Sequence, residues 1–506
     1  MTLSMTACRP WKPRAILPAL GVMLVVSFIS LYGRVAWVSN QQLNLPMQAE
    51  ADAPLRTQQA IFWRNFQPLM EEYNPNCPSP SREDSAGAIT FDAVNPPQRP
   101  DVIILPDADR ETMQQAHSSF VNAITNSTIL RSAHIPGSSG IVSSAGKTYL
   151  PLFVTSLRML RRTGSELPVE LFLKDSSEYE TKICEEVLPS LNAQCVVLSD
   201  ILRLSRFRST VQIAHYQLKI FAVLFSSFEK VIWMDSDCFP LHDPSVLLNS
   251  EPFTSKGLVT WPDFWASTAS PLYYNISQQP IPPMDARASS ETGVFLVSKQ
   301  SHFLSLLLAA YYNYYGPSHY FSLLSQGAPG EGDKETFIQA ASALNQDFYT
   351  VSERVAPVGH LQEKGGISGS AMVQSDPIED YRLTSQNKWR VKDKSVAKPP
   401  RVFFIHAHYP KFNPADKLFG YQWETAPTVK PDGTDGRAWV VPNDVLVRLG
   451  YDAERAYWEE IKWVSCNLER VFESWREVSG VCSRVQEYWL NVFEDPSEYV
   501  PQFTES

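Results

Sequence analysis

The strongest constraint on the fold of this chain is a regular alternation of strand and helix patterns between about Ile141 and Asp237. Short apolar runs typical of strands occur in "GIVSSAG", "LPVELFLKD", "AQCVVLSD" and "KVIWMDSD". Helical patterns separate them, in "TYLPLFVTSLRMLRRTG", "TKICEEVLPSL" and "VQIAHYQLKIFAVLFSSF". This alternation predicts an α/β fold with a mostly parallel sheet that is flanked by helices on both faces.

The last strand of this series ends in an acidic tip. Val231 to Met234 are apolar, and Asp235-Ser236-Asp237 follow directly. In sheets of this kind, ligands bind beyond the carboxyl ends of the strands. Two carboxylates two residues apart are either part of an ordinary surface turn or ligands of a hard divalent cation such as Mn²⁺ or Mg²⁺. The position at the sheet edge favours the metal site.

A second strand pattern, "LVTWPDFWAST", ends in Trp261, Asp263 and Trp265. Aromatic rings beside a carboxylate suit a sugar, because its C–H faces stack on the rings while its hydroxyls bond the acid. The alternative is a cluster of aromatic side chains in the core. We predict a sugar-binding role for all three residues.

Two further segments place polar residues next to an apolar element. Glu291 and Gly293 lead into a strand in "SSETGVFLVSK", and Asp333, Lys334 and Glu335 stand at a helix start in "GEGDKETFIQAA". The positive end of a helix dipole favours anions there. Asp333 is equally suited to be an N-cap. We predict that both segments border the substrate.

The segment "RVFFIHAHYPKFNP" is an apolar strand that ends in His406, with His408 and Lys411 close behind. An imidazole at a strand end can complete a Mn²⁺ site, and a lysine can pair with a diphosphate. We predict His406 as the third metal ligand because it stands at the strand end, and His408 is the alternative.

The N-terminus has the pattern of a membrane anchor. Residues 15–33 contain no charged side chain, are just long enough to cross a bilayer, and follow three basic residues in the tail 1–14. The positive-inside rule predicts a type II protein with a cytosolic tail and a luminal remainder. A cleaved signal peptide is the alternative. The segment 34–99, rich in Gln, Pro, Asn and Ser, is predicted to be a stem.

Charge and glycosylation motifs agree with a luminal protein that does not bind nucleic acid. The formal net charge of −10 argues against a broad nucleic-acid surface, which needs an excess of Lys and Arg. Sequons at Asn126 and Asn275 are predicted glycosylation sites in a secretory lumen.

The cysteine count also fits an oxidising lumen. With Cys8 in the cytosolic tail, an even number of six cysteines remains. Short spacing favours two disulfides and leaves a third pair by remainder: Cys184–Cys195, Cys466–Cys482 and Cys77–Cys238.

The main domain is predicted to span residues 100–430. The tail, residues 431–506, contains "DAERAYWEEIKWVSCNLERVFESWREV", which is aromatic and charged on one face. This pattern predicts a helical appendage that packs on the main domain.

Taken together, these blocks resemble the fungal Golgi alpha-mannosyltransferases of glycosyltransferase family 71, type II membrane enzymes that extend and branch cell-wall mannan. The matching residues are "GIVSSAGKTYL", "LPVELF", "VIWMDSDCFPLHDP", "WPDFW", "ETGVFLVSK", "GDKETF", "MVQSDPIEDY" and "HAHYPKFNP". They occur in one order over about residues 140–414. "WPDFW" and "MVQSDP" are more similar to the alpha-1,2 branching members than to the alpha-1,3 capping members.

The resemblance implies a fold of the GT-A nucleotide-sugar transferase type, GDP-mannose as donor, a mannose-containing glycan as acceptor and Mn²⁺ (or Mg²⁺) as cofactor. It also implies a single-pass type II protein of the Golgi membrane and a complex with other Golgi mannosyltransferases. The reaction would be alpha-1,2 mannosyl transfer with retention. An alpha-1,3 transferase and a non-catalytic, lectin-like protein on a transferase fold are the alternatives.

The resemblance and the positions of the residues in the sequence together suggest roles for individual residues. Asp235 and Asp237 match the family's D-x-D and would hold the metal together with His406. The catalytic candidates are Asp333, Glu335 and Glu291, of which the first two are expected nearest the donor sugar. The predicted donor-binding and sugar-binding residues are Gly140, Ile141 and Val142 for the guanosine, with Trp261, Asp263, Trp265, Gly293, Lys334 and Lys411 around the sugar and diphosphate.

Overall fold

The computed structural model describes residues 54–203, 212–361, 367–419, 427–430 and 432–494. The chain divides into a short unit, Met1–Gln58, and a large unit, Gln59–Ser506. The predicted anchor at 15–33 and the first part of the predicted stem lie outside the described residues. None of the helices in the described ranges is both long and apolar enough to cross a membrane.

The strands are numbered in chain order. They are β1 (Ser81–Arg82), β2 (Ile103–Ile104), β3 (Ile135–Ser144), β4 (Val169–Leu173), β5 (Ala193–Val197), β6 (Phe228–Met234), β7 (Cys238–Pro240), β8 (Leu258–Ala266), β9 (Ala288–Ser298), β10 (Tyr349–Thr350), β11 (Ala356–Leu361), β12 (Ile367–Ser375) and β13 (Val402–His406).

The helices are numbered in the same way. They are α1 (Leu55–Glu72), α2 (Asp107–Thr125), α3 (Leu150–Arg162), α4 (Leu188–Ser190), α5 (Leu198–Leu202), α6 (Gln217–Phe225), α7 (Phe253–Lys256), α8 (Pro271–Ile276), α9 (Phe303–Tyr314), α10 (Phe321–Ser325), α11 (Thr336–Ala343), α12 (Pro377–Ser385), α13 (Asn443–Leu449), α14 (Ala453–Leu468) and α15 (Val481–Phe493).

The larger sheet of the described residues has seven strands in the order β10-β8-β9-β6-β3-β4-β5. It is mostly parallel, as predicted, but β9 runs antiparallel to both of its neighbours, β8 and β6. Val231 to Met234 of β6 are buried on both faces, which explains their uninterrupted apolar sequence. The acidic tip of β6 and the ends of β3, β8 and β10 therefore lie along one edge of this sheet.

Helices cover both faces of the larger sheet. On one side, α6, α9 and α11 pack with Trp233 and Phe295 in a shared hydrophobic core. On the other side, Leu150, Val154 and Leu157 of α3 pack with Ile232 of β6. The central strands are thus buried between helices, and their polar tips lie at the edge of the sheet.

A second sheet is antiparallel throughout, in the order β11-β12-β13-β7. Its short strand β7 begins immediately after the acidic tip of β6. His406 of β13 pairs with Cys238 of β7, which directly follows Asp237. This pairing brings two parts of the chain that are distant in sequence to the same place.

The predicted stem boundary at residue 99 does not match the packing of the large unit. Trp63 lies 5.7 Å from the ring of Phe221 and 5.8 Å from that of Phe225 on α6, measured between centroids, and Phe66 is fully buried. The apolar residues of α1 are therefore part of the main core from Gln59 onward. Their helical spacing is that of a helix that packs on other elements.

The region predicted as a helical appendage forms α13, α14 and α15. Tyr457 of α14 stacks on Phe239 of β7 with ring centroids 4.7 Å apart. Trp475 donates a hydrogen bond to Asn413 Oδ1 at 3.0 Å, just beyond β13. These helices therefore support the second sheet and the segment that follows His406.

Two of the three cysteine pairings are confirmed. Cys184–Cys195 and Cys466–Cys482 form disulfides. The third pairing is wrong, because Cys238 is buried in β7 while the Cys77 sulfur lies beside His319. These two cysteines belong to different hydrophobic clusters of the core.

Candidate active site

The tip of β6 and the end of β13 form a cluster of three potential metal ligands. Ligand atoms of Asp235, Asp237 and His406 all lie within 4.8 Å of one another. His406 Nε2 is 3.2 Å from Asp237 Oδ1. The structure therefore brings together the three residues that the sequence predicts as ligands.

Backbone contacts hold this tip in place. The amide of Ala407 donates to the carbonyl of Asp237 at 2.9 Å, and the amide of Asp235 donates to the carbonyl of Gly293 at 2.7 Å. The hydroxyl of Ser156 on α3 donates to the carbonyl of Ser236 at 2.8 Å. The β6 tip is thus tied to β13, β9 and α3, which makes it a rigid element.

Glu291 orients the imidazole of His406 from the other side. Its Oε1 atom lies 3.2 Å from His406 Nδ1 and accepts a hydrogen bond from the Gly293 amide at 2.6 Å. A carboxylate on one ring nitrogen leaves the other free to bind a metal, and it fixes the tautomer needed for that role. Glu291 is therefore a positioning residue for His406.

Gly293 is required by the close approach of His406. A Cβ atom at this position would overlap the imidazole ring and would lie 2.8 Å from Glu291 Oε1. This explains the glycine of "ETG" without a direct contact to a sugar. The predicted donor-binding role of Gly293 is replaced by one in the packing of His406.

A buried lysine joins the cluster to Asp333. The Nζ atom of Lys219 on α6 lies 3.2 Å from Asp235 Oδ1 and 3.2 Å from Asp333 Oδ2, and it donates to the Thr292 carbonyl at 2.7 Å. Burial would lower the pKa of Lys219, but the two carboxylates outweigh this effect and raise it. The ammonium group is therefore a fixed positive charge between Asp235 and Asp333.

Asp333 has an oxygen whose only partner among the described residues is the Lys219 ammonium. Its Oδ2 atom is buried and accepts no hydrogen bond from any described residue, although Lys219 lies at ion-pair distance. Burial raises the pKa of Asp333 to about 6, against the opposing effect of Lys219. A buried carboxylate oxygen with spare capacity is suited to a substrate hydroxyl.

Lys411 and Tyr149 border the cluster on its more exposed side. The Lys411 ammonium pairs with Asp237 Oδ2 and lies 6.0 Å from the centre of the Tyr149 ring. The Tyr149 side chain is largely exposed. A cation and an open aromatic face next to the predicted metal ligands could accept a diphosphate and a stacked base.

Negative charge exceeds positive charge in this cluster. Burial would raise the pKa of Asp237, but Lys411 and His406 hold it well below its usual range. Burial would lower the pKa of His406, but Asp237 and Glu291 raise it to about 10. The four acids of the cluster therefore outnumber its three basic groups; the acids are Asp235, Asp237, Glu291 and Asp333, and the basic groups are Lys219, Lys411 and His406.

The donor set fits Mn²⁺ or Mg²⁺. Two carboxylates and one imidazole match the hard to borderline preference of these ions, which usually keep open positions for phosphate oxygens. Glu291 provides the outer partner expected for a metal-binding imidazole. Its Oε2 atom is also buried without a hydrogen-bond partner among the described residues, which agrees with a local excess of negative charge.

The contacts of Glu335 do not fit a place beside the donor sugar. Its Oε1 atom accepts from the Ser290 amide at 2.8 Å and from Ser289 at 2.9 Å, and its Oε2 atom pairs with Arg287 at 3.0 Å. Burial would raise the pKa of Glu335, but Arg287 and the Ser290 amide lower it to about 2. This carboxylate is already saturated and therefore stabilises the start of α11 and β9.

The aromatic residues of "WPDFW" also differ from the prediction. Trp261 is fully buried, donates to the Ser375 carbonyl at 2.8 Å and packs edge-on against Phe404, so it belongs to the core. Trp265 is half-buried at the end of β8 and contacts Phe264. The alternative of a core cluster is correct for Trp261, because β8 is covered on both faces at this point.

Asp263 and Lys334 form an ion pair. Lys334 Nζ lies 3.0 Å from Asp263 Oδ2 and also donates to the Pro329 carbonyl at 2.7 Å. This pair joins the end of β8 to the segment that carries Asp333. The two residues stay candidates for sugar binding at the edge of the site.

The predicted guanosine-binding turn at Gly140 to Val142 is wrong in its position. These residues lie inside β3, where Ile141 pairs with Ile232 and both Ile141 and Val142 are fully buried. The strand continues to Ser144, so the turn at the sheet edge begins only after it. The Gly and Ser residues of "GIVSSAG" suggest an earlier turn than the one formed.

The remaining predicted residues have the following positions. His408 lies beside His406 with ring centroids 5.7 Å apart, outside the three-ligand cluster, so His406 is the ligand that the geometry favours. Asn126 and Asn275 are both exposed, which leaves their predicted glycosylation open.

Two residues of the cluster were missed by the sequence analysis. Lys219 has a recognisable signal, since it is a single cation within the apolar helix pattern "QLKIFAVLF". Burying a charge is costly without a partner, so such a lysine points to a nearby acid. Tyr149 has no comparable signal, because exposed tyrosines are common in any surface turn.

Comparison with known proteins gives a family match over this part of the chain. A family model for mannosyltransferases, Mannosyl_trans3, matches residues 138–287 and 284–376. This span contains the β6 tip, Glu291 and Asp333. His406 lies beyond its end.

The relatives found are fungal proteins. Alpha-1,2-mannosyltransferase MNN21 of Candida albicans is 33% identical over 410 residues, which cover 69% of this chain and 61% of that protein. Alpha-1,2-mannosyltransferase MNN5 of Saccharomyces cerevisiae is 29% identical over 450 residues, with 75% and 76% covered. The chain thus spans about three fifths of the length of two relatives, 61% for MNN21 and 60% for MNN24, another alpha-1,2-mannosyltransferase of Candida albicans.

Among solved structures, the glycosyltransferase GlyE of Streptococcus pneumoniae aligns with 72% of this chain and 66% of its own. The sequence identity is 11% and the TM-score is 0.32.

Proposed function

The chain belongs to the fungal mannosyltransferase family that these relatives represent, and from this premise we propose that it transfers mannose from GDP-mannose to a mannose-containing glycan. The linkage formed is α-1,2, with the α configuration of the donor retained. The relatives named above are alpha-1,2-mannosyltransferases. The observation that carries the proposal is the cluster of Asp235, Asp237 and His406, with Glu291 behind the imidazole.

Asp235, Asp237 and His406 would hold a Mn²⁺ (or Mg²⁺) ion in a fold of the GT-A type. When bound, this ion supplies Lewis-acid stabilisation for the negative charge that grows on the departing diphosphate. Glu291 keeps the Nε2 atom of His406 directed at the carboxylates. Lys411 offers a second positive charge to the diphosphate at the open side of the cluster.

Lys219 and Asp333 are assigned to the sugar end of the donor. Lys219 fixes the relative position of Asp235 and Asp333, since its ammonium lies 3.2 Å from an oxygen of each. Asp333 then contacts the mannose through the remaining acceptor capacity of its Oδ2 atom, beside the Lys219 ammonium. Tyr149, exposed beside Lys411, stacks on the guanine base.

Retention of configuration constrains the arrangement of these groups. It needs either a carboxylate nucleophile on the far face of the sugar or attack from the front face guided by the leaving phosphate. Glu335 is unsuitable as a nucleophile because both of its oxygens are occupied. We assign Asp333 as the carboxylate nearest the anomeric carbon in either route.

The test is an assay of the purified chain with Mn²⁺, a panel of nucleotide sugars and an α-mannoside acceptor. We expect transfer from GDP-mannose only, loss of transfer with EDTA, and an α-1,2 linkage by NMR of the product. An α-1,3 linkage would overturn the regiochemistry. No turnover together with no metal-dependent GDP binding would leave a lectin-like protein on a transferase fold.

We further propose that the protein acts in the Golgi lumen as a single-pass type II membrane protein. The apolar segment 15–33 and the two disulfides support this placement, because disulfides persist in oxidising compartments. Protease protection of the catalytic part in intact Golgi vesicles is the expected result. Digestion without detergent would contradict it.

A further inference from the structure

A large cavity opens next to the candidate active site. Its volume is about 610 Å³, within the range of about 300–1,000 Å³ that is typical of small-molecule sites. Aromatic side chains form much of its wall, with a few charged groups between them, and the lining includes Phe91, Phe264, Tyr349, Trp389, Arg287 and Lys392. None of the three predicted metal ligands lines this cavity.

The cavity lies on the same edge of the larger sheet as the metal cluster. Asp263 at the end of β8 and Ser352 just after β10 both line it. In the strand order, β8 is two positions and β10 three positions from β6. At about 4.8 Å per strand, the cavity is therefore roughly 10–15 Å from the β6 tip along this edge.

Three consecutive residues connect the two places. Asp333 is joined to Asp235 through Lys219, whereas Lys334 pairs with Asp263 and Glu335 pairs with Arg287, which both line the cavity. The segment 333–335, here called the partition, thus contacts the donor side through Asp333 and two residues of the cavity wall through Lys334 and Glu335, and none of its own three residues lines the cavity. A molecule in the cavity would be next to the sugar that Asp333 contacts.

The chemistry of the wall is that of a carbohydrate site. Two of its charged groups are neutralised by ion pairs with the partition, Asp263 by Lys334 and Arg287 by Glu335. Trp389 has 42% of its surface exposed, although it lines a concave wall. An open indole face suits the C–H face of a sugar ring, while neighbouring polar groups bind the hydroxyls.

The turn that carries Trp389 is held rigidly. Arg390 is buried, pairs with Glu353 at 2.8 Å and anchors the turn to the carbonyls of Lys394 and Ala397. The indole is therefore presented in a fixed position. Such preorganisation lowers the entropic cost of binding a flexible glycan.

We propose that this cavity is the binding site for the acceptor, a short mannose oligosaccharide whose terminal unit lies at Asp263 and Arg287, the wall residues that pair with the partition, and whose inner units stack on Trp389. This inference rests on the proposed function for the identity of the sugar. It assigns specificity for the acceptor to β8, β10 and the turn after α12, whereas the donor is bound at β6, β9 and β13.

Direct binding tests this assignment without the reaction. Isothermal titration calorimetry with linear α-mannotriose, in the absence of donor, should give binding to the wild-type protein. Trp389→Ala should weaken it at least about tenfold, the scale of losing one well-packed aromatic contact. Trp463→Ala is the matched control, because Trp463 is similarly exposed at 37% but lies on α14, away from the cavity.

A second variant distinguishes loss of the binding site from misfolding of Trp389→Ala. Ala286 is exposed on the cavity wall, so Ala286→Trp fills the space without disturbing the core, and it should also weaken glycan binding at least about tenfold. In the transfer assay, both variants should raise the acceptor KM while the GDP-mannose KM stays as in the wild type.

The outcomes separate the two proposals. Wild-type affinity for mannotriose in both cavity variants, or no binding to the wild-type protein, would overturn the acceptor site. If the wild-type protein binds mannotriose and both variants weaken it, the cavity assignment holds even where no transfer from GDP-mannose is measured. Absence of transfer would then count against the proposed function alone.

Discussion

The tips of β6 and β8 look alike in the sequence but differ in their surroundings. Both have a run of apolar strand residues and a carboxylate two residues after a tryptophan. At β6, Asp235 and Asp237 meet Lys219 of α6 and, from the segment at the end of β13, His406 and Lys411. At β8, the Asp263 carboxylate pairs with Lys334, and the nearby Trp261 is part of the core. An acidic strand tip is therefore a candidate catalytic centre only where other elements of the fold place further charged side chains beside its carboxylates.

The largest predicted effect distinguishes these two tips directly. Asp235→Asn should lower kcat at least about 1,000-fold, because a metal supplies several kcal/mol of charge stabilisation in such reactions. Asp263→Asn, the same change at the β8 tip, should cost less than about tenfold. Initial rates with GDP-mannose and Mn²⁺ measure both. Equal losses of kcat in the two variants would contradict the proposed difference between the β6 tip and the β8 tip.

The second prediction separates acids that stabilise the fold from acids that serve the reaction. Glu335→Gln should lower the free energy of unfolding at pH 7 by about 3 kcal/mol, since it removes the buried carboxylate that pairs with the half-buried Arg287. Asp333→Asn, two residues away, should lower activity with little loss of stability, because burial already disfavours the charged form of that carboxyl. Urea denaturation of the two variants checks this.

The stability that Glu335 contributes should depend on pH in a defined direction. Its pKa in the folded protein is about 2, below the ordinary value of 4.5. The contribution is therefore fully present above about pH 4.5 and is lost as the pH falls toward 2. The difference in the free energy of unfolding between wild type and Glu335→Gln should therefore shrink as the pH falls from about 4.5 toward 2. A difference that grows on acidification would contradict the ion pair as its source.

The third prediction concerns the close packing behind the β6 tip. Gly293→Ala should reduce activity about 100-fold, because the added methyl group displaces the His406 imidazole and small displacements of a catalytic group have effects of this size. Gly369→Ala on β12 is the control, since its Cβ would meet only the Pro357 Cβ at 3.4 Å. Similar activity of both variants would show that His406 tolerates movement.

The smallest predicted effect is on metal affinity. Glu291→Gln keeps the shape of the side chain but weakens its hold on His406 Nδ1. The concentration of Mn²⁺ needed for half-maximal rate should rise about 10–100-fold, as is usual for outer partners of metal-binding residues. Saturating Mn²⁺ should restore most of kcat. An unchanged Mn²⁺ requirement would mean that Glu291 does not act through His406.

The strand and its acidic tip could be predicted because their signal is local. The apolar run Val231 to Met234 and the carboxylates are adjacent in the chain, so periodicity and composition identify them. His406 could also be predicted as a strand-end residue. The pairing of β13 with β7 and the contact of the His406 imidazole with Glu291 could not, because both depend on the tertiary fold.

The errors have the same physical origin. Nothing in "GDKETF" distinguishes Asp333 from Glu335, yet Ser289, Ser290 and Arg287 saturate only the second of them. The burial of Trp261 likewise follows from the second sheet, which covers β8 at Phe404. The cavity beside β8 and β10 has no sequence signature, since its wall is assembled from several distant segments.

The most direct test of the central claim is Mn²⁺ binding followed by electron paramagnetic resonance in the presence of GDP. The wild-type protein should bind a single Mn²⁺ ion more tightly with GDP than without it, and Asp235→Asn should abolish that binding while Asp263→Asn retains it. Equal Mn²⁺ binding by wild type and Asp235→Asn would contradict the assignment of the β6 tip as the metal site.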